Sequence, residues 1–227
     1  VITGASSGIG MATARLAAAR GARVVLAARS EDGLCEVADA ITARGGAAAC
    51  VVADVAMERD VRRIAEVARE HFGGFDTWVN NAGVSVYGPI DQVPLEAHRR
   101  VIETNLLGYM NGAYAALPHF IEQEHGTLIN NVSIGGFVPT PYAAAYAASK
   151  FGVRAFSNSL RQELQAWPDI HVCAVYPFFM DTPGVQHGAN YTGRALQPAP
   201  PVYAPERTAQ AIVALVARPR HESDDRL

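Results

Sequence analysis

Short apolar runs alternate along the chain with longer segments whose apolar residues recur every three or four positions. The runs predict β-strands at residues 23–28, 48–53, 75–79, 127–132 and 171–176. Amphipathic helices are predicted between them, at residues 11–20, 32–44, 58–71, 95–124 and 143–167. Fully apolar strands that alternate with helices indicate a parallel sheet covered on both faces. The pattern predicts an α/β, three-layer, doubly wound parallel sheet in a single domain, residues 1–227.

Residues 177–205 and the two chain ends depart from this alternation. The segment is irregular and rich in Pro and Gly, with several aromatic residues, which is typical of a flexible substrate loop. Only Val1 and Ile2 precede the turn at Thr3, too few for a strand, and the polar residues 221–227 include no closing element. Both ends are therefore expected to be truncated.

The composition excludes several classes of protein. The chain has 227 residues, 49% hydrophobic and 18% charged, as expected for one packed domain. A formal net charge of -3 gives no basic field to attract nucleic acid, and the lack of a long apolar run predicts no transmembrane segment. Three separated cysteines without a CxxC pair indicate reduced thiols in a cytoplasmic protein, and no metal site is expected.

The sequence TGASSGIG at residues 3–10, between a strand end and an Ala-rich helix, carries the first chemical signal. Glycines there let the backbone approach a pyrophosphate, which the free N–H groups of the helix start would hold. The spacing is GxxxGxG, and a Gly/Ser turn without a ligand is the plain alternative. The cofactor contacts predicted from this loop are Gly4, Ser6, Ser7, Gly8, Ile9 and Gly10.

The same loop allows a different chemistry. Gly4 to Gly8 matches GxSxG, the nucleophile elbow of serine hydrolases, with Ser6 as the nucleophile. An elbow normally follows several strands, whereas at most one precedes this turn. A hydrolase would also need a histidine and an acid later in the chain, and His187 is the only histidine within residues 177–205.

Arg29 follows the predicted strand at residues 23–28, at the point where the ribose of a dinucleotide is recognised. An acid there holds the 2′-hydroxyl of NAD, whereas an arginine suits the 2′-phosphate of NADP. Arg29 therefore favours NADP(H), with NAD(H) second. In the alternative, Glu31 or Asp32 binds the ribose and Arg29 is simply solvated.

Tyr146 and Lys150 form a YxxxK pair, and Lys150 is the only lysine among 19 basic residues. Positions i and i+4 share one face of a helix, so the phenol and the ammonium point into the same space. A nearby cation favours phenolate and would lower the pKa of Tyr146 towards working pH. Tyr146 is therefore predicted as a general acid or base, against the alternative of an ordinary surface pair.

Polar residues at strand ends complete the predicted site. Ser133 comes at the end of the apolar run 127–132, where a hydroxyl can hydrogen-bond a carbonyl oxygen. Asn105 lies in a predicted helix, where a buried asparagine needs partners, and Asp54 could accept from an adenine amino group. The other cofactor contacts predicted are Val55, Asn80, Ala82, Gly83, Pro177, Met180 and Thr182.

Together these residues resemble the compact, single-domain branch of the short-chain dehydrogenase/reductase family. The resemblance is carried in order by TGASSGIG (3–10), Asp54, NNAG (80–83), Asn105, Ser133 and YAASK (146–150). It implies a Rossmann fold and a catalytic tetrad. Tyr146 would exchange the proton, and Ser133 would hold the substrate oxygen. Lys150 would bind the nicotinamide ribose and tune the tyrosine, and Asn105 would support a water relay.

One departure from the family pattern follows the last predicted strand. The family usually has Pro-Gly there, whereas this chain reads Pro177-Phe178-Phe179. The comparison implies a narrower nicotinamide side of the pocket, with Thr182 as the carboxamide contact. It also implies a last strand and helix beyond Leu227, and a homodimer or homotetramer.

The function implied is hydride transfer between NADP(H) and a neutral, apolar carbonyl compound or secondary alcohol. The expected lining comprises Ile134, Phe137, Val138, Tyr142, Phe178, Phe179 and Met180, with Arg194 as the sole cation of residues 177–205. The alternatives are a serine hydrolase using Ser6, an epimerase or dehydratase, and a catalytically silent NADP-binding regulator. An epimerase or dehydratase would need a larger substrate domain, and a silent regulator would have lost the tetrad.

Overall fold

The computed structural model describes residues 1–186 and 188–224, with side chains at 1–184 and 188–221. Its strands are β1 Ile2–Thr3, β2 Arg23–Ala28, β3 Ala47–Val52, β4 Thr77–Asn80, β5 Val86–Tyr87, β6 Gly126–Asn131, β7 Ile170–Tyr176, β8 Phe179–Met180, β9 Ala189–Asn190, β10 Val202–Tyr203 and β11 Glu222–Asp224. Its α-helices are α1 Gly8–Ala19, α2 Glu31–Thr42, α3 Glu58–Phe72, α4 Leu95–Ile102, α5 Gly108–Gln123, α6 Ala144–Glu163, α7 Pro183–Gln186 and α8 Pro205–Ala217.

Within the described residues, seven parallel strands form the central sheet in the order β11-β7-β6-β4-β1-β2-β3. Alternate side chains of a strand point to opposite faces. In β2, Val25 packs in the core beneath α3 and α5, whereas Val24 and Leu26 pack in the core beneath α1, α2 and α8. Burial on both faces explains why the strands are apolar throughout, and the predicted three-layer fold is confirmed.

Both chain ends contribute to the sheet, so two expectations were wrong. Ile2 and Thr3 form a strand despite their small number, because β2 and β4 flank them on both sides. At the other end, the polar stretch 221–227 was expected to include no closing element, yet Glu222–Asp224 forms the edge strand β11 beside β7. The strand and helix expected beyond Leu227 stay a prediction.

The predicted helix at 95–124 is interrupted. A π-helical turn, Glu103–Leu107, separates α4 from α5. Asn105 lies in this turn with no exposed surface, and its amide bonds both backbone groups of Val84. A π turn redirects side chains and is frequent at functional sites. The helix predicted at 143–167 is shorter than expected: α6 ends at Glu163 and a 3₁₀ turn, Leu164–Ala166, follows it.

The segment at 177–205 has more regular structure than its composition suggested. β8 pairs with β10, and β9 pairs with β5, so the segment is joined both to itself and to the chain after β4. Its predicted mobility stays a prediction. None of the helices in the described part of the chain is long and apolar enough to cross a membrane.

Candidate active site

A cavity of about 770 Å³ opens at the carboxyl ends of the central strands. In a parallel sheet these ends lie along one edge, where the crevice between the two halves of the sheet forms. Residues that follow six different strands line it: Gly4, Arg29, Asp54, Ala82, Ser133 and Pro177. The topology therefore gathers residues that are far apart in sequence.

The glycine loop brings backbone close to one side of this cavity. Gly4 has φ 65°, and a Cβ there would lie 2.8 Å from the Ala82 Cα; Gly8 has φ 52°. Ser7, the N-cap of α1, makes no side-chain cap bond, so the first N–H groups of the helix stay available to an anion. This backbone cradle fits the pyrophosphate of a dinucleotide.

The predicted loop contacts divide into two groups. Gly4, Ser6, Ser7, Gly8 and Ile9 line the cavity. Gly10 does not, because it serves helix packing: a Cβ there would lie 2.1 Å from the Gly4 carbonyl oxygen.

Arg29 and Asp54 come after the neighbouring strands β2 and β3, and both line the cavity there. Arg29 is exposed and lines the cavity, while Glu31 and Asp32 in the first turn of α2 do not. Asp54 accepts from the Ala56 N–H at 3.0 Å and forms an ion pair with Arg100 of α4. Burial opposes ionisation of Asp54, but the bonds from Arg100 and Ala56, with the charges of Arg100 and Arg29, hold its pKa below the usual value. Arg100 was not predicted.

Ser133 and Tyr146 meet in the cavity. Ser133 has φ 102°, a conformation that costs a non-glycine residue energy, and its hydroxyl accepts from the Gly135 N–H at 3.2 Å. A Cβ at Gly135 would lie 3.1 Å from the Tyr146 ring, so this glycine makes room for the phenol. The strain indicates that the Ser133 hydroxyl is held in place by the fold.

Lys150 is 4% exposed and lies one helical turn after Tyr146 on α6. Its ammonium donates to the Asn131 carbonyl at 3.0 Å and to the Tyr109 hydroxyl at 3.4 Å. It also lies 5.7 Å from the centre of the Tyr146 ring. The predicted shared face of the YxxxK pair is confirmed by this geometry.

The predicted lowering of the Tyr146 pKa was wrong for the protein by itself. Burial raises the pKa of Tyr146 to about 12, although its hydrogen bond with Ser133 acts in the opposite direction. Burial also lowers the pKa of Lys150 to about 7, which weakens the expected cation. Desolvation disfavours the charged form of both groups and is the largest cause of each shift.

The Asn105 side chain does not line the cavity and instead bonds to the Val84 backbone and to Ser149. Its Nδ2 donates to the Ser149 hydroxyl at 3.2 Å, and that hydroxyl donates to the Tyr146 carbonyl at 2.7 Å. Its Oδ1 accepts from the Val84 N–H at 2.8 Å. Asn105 therefore connects the segment after β4 to the turn of α6 that carries Tyr146. Sequence reasoning missed Ser149.

Asn80 was predicted as a cofactor contact, and the structure gives its side chain another task. Asn80 is 1% exposed and lies outside the cavity lining. Its amide accepts from the Trp78 indole and donates to Asn130 and to the Tyr109 carbonyl, which joins β4 to its neighbours. The next residue, Asn81, lines the cavity in its place.

Asn81 and Asn131 form a polar bridge that sequence reasoning missed. Asn131 donates to the Asn81 side chain at 2.8 Å, and Asn81 donates to the Thr3 carbonyl at 2.9 Å. The Asn131 backbone carbonyl also accepts a hydrogen bond from the Lys150 ammonium. The glycine loop and the lysine are thus held by one network.

Most of the other residues predicted to contact the cofactor or the substrate line the cavity, and some do not. Val55, Ala82, Gly83, Pro177, Met180 and Thr182 line the cavity, as do Ile134, Phe178 and Phe179. Phe137, Val138 and Tyr142 were expected in the lining as well, and they do not line the cavity. Phe137 instead packs on Tyr176, with ring centres 4.6 Å apart, and lies under the Arg154 guanidinium. The lining residues missed include Ser85, Tyr87 and Thr140.

The hydrolase alternative gains no support from the described residues. Among residues 1–184 and 188–221, whose side chains the structure describes, no histidine or carboxylate is hydrogen-bonded to the Ser6 hydroxyl, as nucleophile activation would require. His187, the histidine named for this role, lies outside the described residues.

Three comparisons place this site among known proteins. The family model for short chain dehydrogenases matches residues 1–190. The oxidoreductase YxnA of Bacillus subtilis is 42% identical over 227 residues, 98% of this chain, and the match spans 63% of that protein. The 3beta-hydroxysteroid dehydrogenase 1 of Eggerthella lenta is 41% identical over 96% of this chain and 85% of the enzyme.

Solved structures agree with the fold. An alcohol dehydrogenase of Thermococcus sibiricus, complexed with 5-hydroxy-NADP, has a TM-score of 0.84 at 28% identity, covering 98% of this chain and 93% of that one. A short chain dehydrogenase/reductase of Burkholderia phymatum, in complex with NAD, has a TM-score of 0.89 at 24% identity over 99% of this chain and 87% of that one. The family-model match over residues 1–190 and the two relatives at 42% and 41% identity show that the chain belongs to the short-chain dehydrogenase/reductase family.

Proposed function

We propose that the protein is an NADP(H)-dependent oxidoreductase that interconverts a ketone or aldehyde and the corresponding alcohol. The observation that carries this proposal is one cavity lined by Ser133, Tyr146, Lys150, the glycine loop and Arg29. Ser133 follows β6 and Arg29 follows β2, and β1, which leads into the glycine loop, lies between these two strands in the sheet. Such a site can hold a dinucleotide along the sheet edge and a carbonyl group beside the phenol.

The chain's own residues would hold the carbonyl and move the proton. Ser133 and Tyr146 would both donate hydrogen bonds to the carbonyl oxygen, and Tyr146 would then give it a proton. The bound nicotinamide supplies or accepts the hydride. A ligand that covers Lys150 and offers it hydroxyl acceptors would favour its charged form, which in turn favours the phenolate left on Tyr146. Asn105 holds that turn of α6 through Ser149.

NADP(H) is proposed over NAD(H) because of Arg29. Its exposed guanidinium lines the cavity, whereas Glu31 and Asp32, the acids that could have held a free 2′-hydroxyl, do not. A guanidinium binds a phosphate through charge-assisted hydrogen bonds. The complex of the Thermococcus sibiricus relative with an NADP derivative agrees with this choice.

The proposed substrate is neutral and largely apolar. Ile134, Phe178, Phe179 and Met180 line its end of the cavity, and the charged residues among the described lining are Arg29, Asp54 and Lys150. Those three are assigned to the cofactor and the proton, so none is left for a charged substrate. The name of the Eggerthella lenta relative, a hydroxysteroid dehydrogenase, supports an apolar alcohol or ketone.

A panel of ketones and aldehydes, followed by the loss of NADPH absorbance, tests the proposal. Turnover of neutral ketones by the wild type and its loss in Tyr146→Phe are expected. A protein that binds NADPH tightly but reduces no member of the panel would support the silent regulator instead. Labelling of Ser6 by an activity-based serine probe would support the hydrolase.

A further inference from the structure

Tyr87 is a second phenol in the cavity that the reaction described above does not use. It ends β5, and its side chain lines the same cavity as Ser133 and Tyr146. The preceding residue, Val86, is 1% exposed and packs with Val93 and Val101 in a small apolar cluster. The backbone that carries Tyr87 is therefore anchored in the core.

The segment at 188–191 holds the Tyr87 ring in place. The Ala189 N–H donates to the Ser85 carbonyl at 3.1 Å, and the Tyr191 N–H donates to the Tyr87 carbonyl at 2.7 Å. A Cβ on Gly188 would lie 3.1 Å from the Tyr87 ring, so the ring lies against bare backbone there. Two segments about a hundred residues apart in sequence together fix this side chain.

The Tyr87 hydroxyl is available to a ligand. Among the described residues no group is hydrogen-bonded to it, in contrast to Tyr109, whose hydroxyl donates to the Asn131 carbonyl at 2.8 Å. Tyr146 packs against the same apolar cluster as Val86, the residue before Tyr87, and both tyrosines line the cavity. The cavity thus contains two phenols, and one of them is assigned to the reacting carbonyl.

We propose that Tyr87 is a substrate-binding residue that selects carbonyl compounds with a second oxygen on the neighbouring carbon, such as α-diketones and α-hydroxy ketones. The inference rests on the proposed function. Tyr146 gives its proton to the reacting oxygen while the carbonyl carbon gains the hydride of NADPH, which becomes NADP⁺. Tyr87 donates a hydrogen bond to the second oxygen, which is neither oxidised nor reduced.

Tyr87→Phe tests this directly, because it keeps the ring against Gly188 and removes only the hydroxyl. The probes are 2-pentanone and 2,3-pentanedione, which differ by one oxygen. A lost hydrogen bond lowers kcat/KM by about 3- to 10-fold. We expect that loss for the dione, mainly in KM, and a change within about 2-fold for the monoketone. Comparing variant with wild type for each ketone removes the dione's greater intrinsic reactivity.

Two further variants sharpen the test. Gly188→Ala adds a methyl group against the ring and should reduce kcat/KM for the dione more than for the monoketone. Tyr114→Phe removes a phenol hydroxyl from a residue that is 80% exposed and should alter neither value.

Each other outcome has a distinct meaning. Equal losses for both ketones in Tyr87→Phe, or no loss for either, would overturn the role of Tyr87 while leaving the proposed function intact. If the wild type consumes NADPH with neither ketone nor any other carbonyl compound of the panel, the proposed function fails and the role of Tyr87 fails with it.

Discussion

Two sides of the cavity are held in different ways: the side built on Thr3, Asn81 and Asn131, called the cofactor wall after its proposed role, and the side built from residues 177–186 and 188–204, called the substrate wall after its proposed role. On the cofactor wall, the Thr3 hydroxyl accepts from the N–H groups of Asn81 and Ala82, and Asn131 extends the bonding to Lys150. On the substrate wall, the strands within residues 177–186 and 188–204 contain two residues each and are joined through bonds such as Asp181 N–H to Tyr203 carbonyl.

The difference indicates how the protein divides its tasks. A buried, bonded wall fixes the groups that carry out a common reaction, because displacement would break several hydrogen bonds together. A wall held by short backbone pairings and apolar side chains can change its lining at small cost to the fold. We therefore expect substitutions on the cofactor wall to affect the reaction with every substrate, and substitutions on the substrate wall to affect substrates selectively.

The largest effect is expected from Tyr146→Phe. It removes the transferable proton and leaves the ring against Gly135, so kcat should fall by about 100- to 10,000-fold for every substrate. The NADPH dissociation constant, measured by fluorescence titration, should stay within about 2-fold. Tyr114→Phe, at an exposed position, is the matched control. Turnover above a few per cent of wild type would show that Tyr146 is not the acid.

A smaller but still large loss is expected from Lys150→Arg. The ammonium lies between the Asn131 carbonyl and the Tyr109 hydroxyl in a space that is 4% exposed. The planar guanidinium is larger and cannot take this place, although the charge is kept. Most of the activity should be lost while the circular dichroism spectrum is unchanged. Wild-type rates would mean that the lysine has no special role.

Arg29→Asp should change the choice of cofactor without abolishing the reaction. Loss of the charge-assisted bonds, with added repulsion, weakens NADPH binding by about 10- to 100-fold or more. NADH binding should improve, because a carboxylate can accept from a free 2′-hydroxyl. Arg44→Asp, an exposed site outside the cavity lining, makes the same change in net charge and is the control. Equal affinities of the wild type for NADPH and NADH would contradict the role of Arg29.

The smallest effect concerns stability and pH. Burial lowers the pKa of Lys150 to about 7, whereas the unfolded chain keeps a value of about 10.4. Between these pH values the unfolded chain binds more protons at this site, so the free energy of unfolding rises with pH. Lys150→Met lacks this contribution. Urea midpoints at pH 7.5 and pH 9.0, without cofactor, should therefore rise more, or fall less, in the wild type. Parallel behaviour of the two proteins would argue against a lysine held neutral by burial.

Sequence reasoning succeeded where a residue's own chemistry decides its position. Strand β2 matches its predicted bounds because it is apolar on both faces, and the glycine loop follows from the backbone geometry that a pyrophosphate needs. Tyr146 and Lys150 follow from helical spacing alone. The two-residue strand β1 could not be predicted, because its pairing depends entirely on β2 and β4.

Sequence reasoning failed where contacts between distant segments decide which way a side chain points or what it binds. Asn80 and Asn81 are identical neighbours in the sequence, and only the fold shows that one bonds β6 while the other faces the cavity. Arg100 of α4 forms an ion pair with Asp54, which comes after β3. Backbone hydrogen bonds from residues 188–191 position Tyr87. The pKa of Tyr146 was mispredicted because the desolvation of a buried phenol depends on packing, which the motif does not contain.

Label transfer from NADPH carrying deuterium at carbon 4 of the dihydronicotinamide tests the central claim most directly. The wild type and Tyr146→Phe are incubated with a ketone from the panel, and the alcohol is analysed by mass spectrometry, separately for the two C4-labelled epimers. The wild type should place one deuterium on the carbinol carbon from one epimer only, since a single cavity presents one face of the ring, and Tyr146→Phe should give almost no alcohol. Alcohol without deuterium from either epimer, or label transfer in Tyr146→Phe at the wild-type rate, would contradict the assignment of this cavity as the site of hydride transfer.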